Sequence, residues 1–149
     1  MPIETRRPCS CASSVSIATT YVQKMWHAMG KPELREALQS LFDFVIGSMR
    51  TGAPTRGCLS TKTAVGTEEL DESISSAIRG LLDEIEAALR ERLSRPGQAE
   101  QLPLSPSDAA QLIVTHTRGL VVIERVYHDE ARMRSMADLL IRLLLKPVS

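Results

Sequence analysis

Apolar residues recur at intervals of three and four along most of the chain, which is the spacing of one face of an α-helix. The first such stripe lies within residues 18–30, and Gly30 is placed to end that helix. The second lies within residues 34–49, behind Pro32, a residue suited to a first helical turn. The chain is therefore predicted to open with two amphipathic helices, the second of which ends at the turn formed by residues 51–54.

A longer third helix is expected to start at Thr67, a good capping residue, and to run to about residue 93. It has an apolar inner side and a charged outer side, and the outer side includes Arg92. A loop containing prolines follows. Ser105 as cap, Pro106 at the first position and Asp108 three residues after the cap then predict the start of the next helix.

The last two helices, expected over residues 107–127 and 129–146, are apolar around most of their circumference. No strand pattern interrupts the helical spacing, so the fold is predicted to be all-α. Helices this apolar are difficult to bury inside a small monomer. A homodimer that packs two helices from each chain would cover them, whereas helices at the centre of a monomer are the alternative explanation. The predicted dimer interface comprises Leu112, Val121, Val122, Met133, Met136, Leu140 and Leu144.

Length and charge restrict the class of protein. The 149 residues correspond to about one domain, and 18 basic side chains balance 18 acidic ones. A domain built to grip nucleic-acid phosphates is usually strongly basic, so this class is disfavoured. Three cysteines do not form a disulfide framework, which indicates the reducing cytoplasm, and no apolar run reaches the length of a membrane span.

The sequence contains no recognisable catalytic or metal-binding motif. Glu124 and His128 are four residues apart on one helical face, but no third metal ligand accompanies them, and a surface ion pair is the preferred interpretation. Cys9 and Cys11 lack the second pair of ligands that a zinc site needs. We therefore expect neither enzymatic activity nor a cofactor nor a bound metal.

Three segments, taken in order, carry a family resemblance. They are REALQSLFDFVIGSM (35–49), TRGCLSTKTAVGTEELDESISSAIRGLLDEIEAALRERL (55–93) and SPSDAAQLIVTHTRGLVVIERVYHDEARMRSMADLLIRLLL (105–145). The chain resembles the C-terminal regulatory half of TetR/AcrR-type transcriptional regulators. In that family a segment like Arg-Gly-Cys-Leu precedes a long charged helix, and a later apolar helix is centred on a Gly-Leu pair, here Gly119 and Leu120.

The resemblance implies a bundle of about six helices in which residues 21–147 form an effector-binding and dimerisation domain. It also implies a ligand-responsive regulator without catalytic activity. Residues 54–65 would form a short helix beside the effector cavity. Cys58 in that helix is interpreted as a packing residue, because only Arg56 and Lys62 are near enough to activate it as a thiol sensor.

The effector is expected to be a small hydrophobic or weakly polar compound. Aromatic and methionine side chains on the first two helices suit the wall of an adaptable pocket, and His116 suits its polar anchor. An ordinary core of the same residues is the alternative. The predicted ligand-binding residues are Tyr21, Met25, Trp26, Met29, Phe42, Val45, Met49, Cys58, Leu82 and His116.

Residues 1–20 depart from the family pattern, because they contain nothing like its N-terminal DNA-binding domain. They are expected to be an unmatched, disordered leader. By itself the chain should then dimerise without binding an operator, with DNA contact only through the missing domain. A different possibility is a small interaction module that binds a partner helix through its apolar C-terminal helices.

Overall fold

The structure, a computed structural model, describes residues 11–51 and 72–147, and their side chains from residue 19 onward. Across these ranges the chain is helical and contains no strand, which confirms the all-α prediction. The predicted short helix, its Cys58 and the predicted cap Thr67 lie outside the described residues. The α-helices are α1 (Cys11–Ala28), α2 (Leu34–Arg50), α3 (Glu72–Leu93), α4 (Pro106–Tyr127) and α5 (Glu130–Leu144), and a 3-10 turn, Ala99–Gln101, precedes α4.

The first helix begins earlier than expected. It starts at Cys11, not near Ala18, and ends two residues before Gly30. Because residues 11–28 contain neither proline nor glycine, no strong helix breaker stops the helix short of Cys11. Helix α2 returns alongside it, with the rings of Tyr21 and Phe44 5.2 Å apart.

Helix α3 packs mainly through its C-terminal half, where Ile85, Leu89 and Leu93 are buried. Ile74, expected on the inner side near the start of the helix, is largely exposed. The prediction for Arg92 was wrong in the opposite sense, because this side chain was expected to be exposed and is buried. It continues the buried stripe three residues after Leu89 and is only 3% exposed, so it does not lie on the charged outer side.

Arg92 is buried because its guanidinium finds polar partners inside the protein. Nε donates a hydrogen bond to the carbonyl of Met29 (3.0 Å), and Nη2 donates one to the carbonyl of Lys31 (2.8 Å). Nη1 donates to Oε1 of Gln98 at 3.1 Å. Burial, and secondarily the charge of Arg95, lowers the pKa of Arg92. The side chain thus ties the turn between α1 and α2 to the end of α3, an arrangement called here the Arg92 clasp.

The start of α4 is confirmed in detail. The Ser105 hydroxyl accepts a hydrogen bond from the Asp108 amide (3.1 Å), and Pro106 occupies the first helical turn. At the other end, His128 adopts a left-handed backbone with φ of 50° and closes the helix. Asp129 then caps α5, so only two residues separate these helices. Helix α5 ends at Leu144, two residues short of the predicted end.

One hydrophobic core joins all five helices. Helix α3 lies against α4, and α2 lies against α5, while α1 contacts both α2 and α3. Exposed ion pairs also connect α2 with α5: Arg50 contacts Glu130, and Arg134 contacts Asp43. Within the described residues, no helix combines the length and the apolar character that crossing a membrane requires.

Candidate functional site

The inner face of α4 carries the polar groups of most interest. Ile113, Thr117, Leu120 and Glu124 follow one another at intervals of four, three and four, and all four are buried. The Thr117 hydroxyl donates to the carbonyl of Val114 (2.7 Å), so its hydrogen-bonding need is met within the helix. Glu124 therefore differs from its neighbours: it is an acidic side chain at a core position.

Glu124 was expected in a surface ion pair with His128, and the structure corrects half of that prediction. Oε1 of Glu124 does lie 3.5 Å from Nδ1 of His128. However, the Glu124 side chain is 2% exposed, whereas that of His128 is 67% exposed. Among the described residues, Oε2 of Glu124 is buried and has no hydrogen-bond partner. A buried carboxylate oxygen without a partner destabilises the folded state, because it loses its hydrogen bonds to water and forms none inside the protein.

His116 lies two helical turns before Glu124 and is half-buried. Its ring meets that of Phe42 on α2 edge-on, with the ring centroids 5.7 Å apart. Burial lowers the pKa of His116, and the interaction of the ring with the backbone carbonyl of Met136 on α5 partly opposes this shift. Nε2 of His116 is buried and has no partner within the described part of the chain. A second unsatisfied polar atom thus lies where α2, α4 and α5 meet.

Most of the predicted ligand-binding residues lie in or against the hydrophobic core, but they are spread along it. Phe42 lies beside His116, but Trp26 lies near the far end of α3, where the Arg95 guanidinium carbon is 5.5 Å from its ring centroid. Tyr21 packs against Phe44 at the edge of the core. Five of the predicted residues are fully buried in the core, and Leu82 is half-buried on α3, while Cys58 is outside the described residues. The five are Met25, Met29, Phe42, Val45 and Met49.

Two surface grooves lie on the described part of the chain, and neither contains these residues. One, of about 560 Å³, lies between the start of α2 and the C-terminal end of the described chain. The other, of about 470 Å³, runs along α1 beside Phe44. Neither groove reaches His116 or Glu124. Across the described residues, no three His, Cys, Asp or Glu side chains are grouped as a metal site would require.

The predicted dimer interface divides into two groups. Leu112 and Val122 on α4 are exposed, and Met136 and Leu140 on α5 are half-buried, so all four are accessible to a partner. The side chains of the other three predicted interface residues are buried in the core of the single chain. These three are Val121, Met133 and Leu144.

The exposed apolar surface continues beyond the predicted residues. Val126 on α4 and Leu139 and Leu143 on α5 are each more than half exposed. Gly119 lies on the same side of α4 as Leu112, Val122 and Val126, and nothing approaches the position of its missing side chain. Helical spacing gives this stripe directly, since residues 112, 119, 122 and 126 share one face. We call these α4 residues and Met136, Leu139, Leu140 and Leu143 of α5 the outer stripe.

Sequence reasoning missed the two buried charges, Arg92 and Glu124, although a usable signal was present. Arg92 follows Ile85 and Leu89 at intervals of four and three, and Glu124 follows Thr117 and Leu120 at intervals of three and four. Each is a charged residue at a position that periodicity assigns to the core. Such positions require either internal partners or a ligand.

A solved structure shares the fold of this chain. The chain resembles the reduced form of NemR from E. coli, with a TM-score of 0.78 and 16% sequence identity over 93% of this chain and 74% of that one. At this identity the likeness establishes the fold alone.

The family follows from the sequence itself. Residues 35–139 match the profile of the family described as transcriptional regulator LmrA/YxaF-like, C-terminal domain. The chain belongs to this family of TetR-type C-terminal domains, and the resemblance drawn from the three segments is confirmed. No curated protein matches the chain.

Proposed function

We propose that this chain is the effector-binding and dimerisation domain of a ligand-responsive TetR-type regulator that acts in the cytoplasm. The observation that carries the proposal is the outer stripe, a set of accessible apolar side chains on α4 and α5, two helices that contact each other. Monomeric proteins rarely leave a contiguous apolar patch of this kind exposed. A second copy related by a two-fold axis would cover it with the same helices, forming a four-helix interface.

Two neighbouring leucines distinguish this interface from the core. Leu143 is 66% exposed, whereas Leu144 is 1% exposed. Gly119 adds a position at which the opposing backbone can approach closely, because it presents no side chain. The interface is thus expected to depend on Leu139 and Leu143, and the stability of each subunit on Leu144.

The test is the mass of the chain in solution, measured by size-exclusion chromatography with light scattering over a hundredfold dilution. The wild type should remain dimeric, and the double variant Leu139→Glu with Leu143→Glu should be monomeric with its helical content retained. Arg142→Glu, an exposed change between them in sequence, is the control and should remain dimeric. A wild-type monomer would contradict the proposal and favour a module that binds the helix of another protein.

The effector site is proposed at the meeting of α2, α4 and α5, around Phe42 and His116. Ligand pockets combine apolar walls with a few placed polar groups, and the unsatisfied Nε2 of His116 is such a group. Val45 and Met49 extend the apolar wall along α2. A ligand held here would contact three helices at once and favour one of their arrangements over another.

A further inference from the structure

We propose that Glu124 is the anionic anchor for a hydrophobic ligand that carries a protonated amine. This inference deepens the proposed function and rests on it, because it assigns a chemical class to the effector of the same domain. It starts from the carboxylate, which is 98% removed from solvent and has one oxygen without a partner among the described residues.

The cations at this end of the bundle do not neutralise Glu124. Arg50 pairs with Glu130, and Arg134 pairs with both Asp43 and Glu130. Among the described residues, the basic side chain that contacts Glu124 is the exposed His128, at 3.5 Å and through the other oxygen. A protonated amine bound at Oε2 would provide a hydrogen-bond donor and a positive charge, and the described residues provide neither to this oxygen.

The side chains along α4 next to Glu124 indicate the shape and polarity of the rest of the ligand. The stripe of α4 that leads from Glu124 towards Ile113 is apolar apart from Thr117, whose hydroxyl donates to the carbonyl of Val114 and accepts from the guanidinium of Arg118 at 3.4 Å. His116 lies eight residues before Glu124, about 12 Å along the helix axis at 1.5 Å per residue. A slender molecule with an ammonium group at one end and an apolar body of about this length matches both ends of the stripe.

In this arrangement of the described helices the Glu124 side chain is closed off from solvent. Neither surface groove reaches Glu124, and Leu120, between the two polar residues, is fully buried. The ligand would therefore bind to an arrangement in which α4 has moved relative to α2 or α5. Binding of this kind shifts the population of helix arrangements, as the response of a regulator requires.

The test uses three compounds with one carbon skeleton: 4-phenylbutylamine, 4-phenylbutanol and 4-phenylbutyrate. Their affinities for the purified chain are measured by isothermal titration calorimetry at pH 7. The amine should bind at least tenfold more tightly than the alcohol, and the carboxylate most weakly. Glu124→Gln should reduce the affinity for the amine to that for the alcohol and leave the alcohol unchanged.

Glu91→Gln, which removes an exposed carboxylate of α3, is the matched control and should keep the preference for the amine. If Glu124→Gln fails to fold, Glu124→Met provides a second variant of similar length for the same comparison. Equal binding of amine and alcohol, a preference that survives loss of Glu124, or no binding of any compound would each overturn the inference. The dimer measurement decides the proposed function independently, because it involves no ligand.

Discussion

Arg92 and Glu124 are both charged side chains buried at core positions, and they differ in what surrounds them. The guanidinium of Arg92 donates three hydrogen bonds, two of them to backbone carbonyls. Glu124 has a long contact with one exposed histidine and a second oxygen that no described group satisfies. The two buried charges therefore have different consequences. Arg92 stabilises the fold through its internal partners, whereas the charge of Glu124 is left for a bound ligand to neutralise.

The contrast also separates the two ends of the bundle. At the clasp, the turn between α1 and α2 and the loop after α3 are connected through Arg92 and Gln98. At the other end, where α4 passes into α5, the charges pair on the surface and leave Glu124 uncompensated. Buried polar groups whose hydrogen bonds are all satisfied stabilise one structure. Buried groups with unsatisfied hydrogen bonds are expected where a protein binds a ligand.

The largest effect is expected from Arg92→Met, which retains the apolar stem and removes the guanidinium. The carbonyls of Met29 and Lys31 lose charged donors in a buried place, so the free energy of unfolding should fall by about 3 kcal/mol. Urea unfolding at one fixed protein concentration measures this change. Arg90→Met, at an exposed position of α3, should change stability by less than about 0.5 kcal/mol. Equal effects of the two variants would refute the clasp.

Glu124→Gln should act in the opposite direction. Removing an uncompensated buried charge while preserving shape should raise the free energy of unfolding by about 1 kcal/mol in the absence of ligand. The same urea experiment applies. His128→Asn, which suits the left-handed backbone, removes the exposed partner and should have little effect. A clear loss of stability in Glu124→Gln would show that the carboxylate is satisfied within the protein.

Gln98→Ala should have a smaller effect than loss of Arg92. It removes the acceptor of Nη1 and a 3.4 Å hydrogen bond to the carbonyl of Pro32, but the guanidinium keeps its two carbonyl partners. We expect a loss of about 1 kcal/mol. Glu100→Ala, a nearby exposed change, is the control. In Arg92→Met the added Gln98→Ala substitution should cost less than it does alone, and strict additivity in this double-mutant cycle would argue against coupling.

The smallest effect concerns pH. The pKa of His116 is lowered by burial, so the folded state prefers the neutral imidazole. This contribution to stability is complete above the unfolded-state pKa of about 6.5 and is lost as the pH falls below it. His116→Gln should therefore make the decline in stability between about pH 7 and pH 5 shallower. Thermal unfolding across this range measures it, and His27→Gln, an exposed change, should retain the wild-type decline.

Periodicity predicted most of the fold, because helices bury stripes of fixed spacing and their ends carry recognisable caps. Ser105, Pro106 and Asp108 gave the start of α4 correctly for this reason. It did not predict which of two apolar faces lies inward: Val121 and Val122 are adjacent, yet one is buried and the other exposed. That choice depends on how neighbouring helices pack, which local spacing does not contain.

The candidate site was harder to predict for the same reason. Whether Phe42 meets His116, or Trp26 lies beside Arg95, depends on contacts between residues far apart in the chain. The buried charges were missed because a charged residue was taken as evidence of a surface position. At such functional positions, the place of a residue in the helical repeat predicts its burial better than its residue type does.

The Arg92 clasp also gives α1 a mechanical property. With its C-terminal end held at Met29, this 18-residue helix is a lever arm whose pivot lies at the clasp. Its length is about 27 Å, so a tilt of about 4° at the pivot carries the opposite end through about 2 Å. A small rotation of α3, passed on by the Arg92 guanidinium, would thus appear at Cys11 as a displacement of about 2 Å.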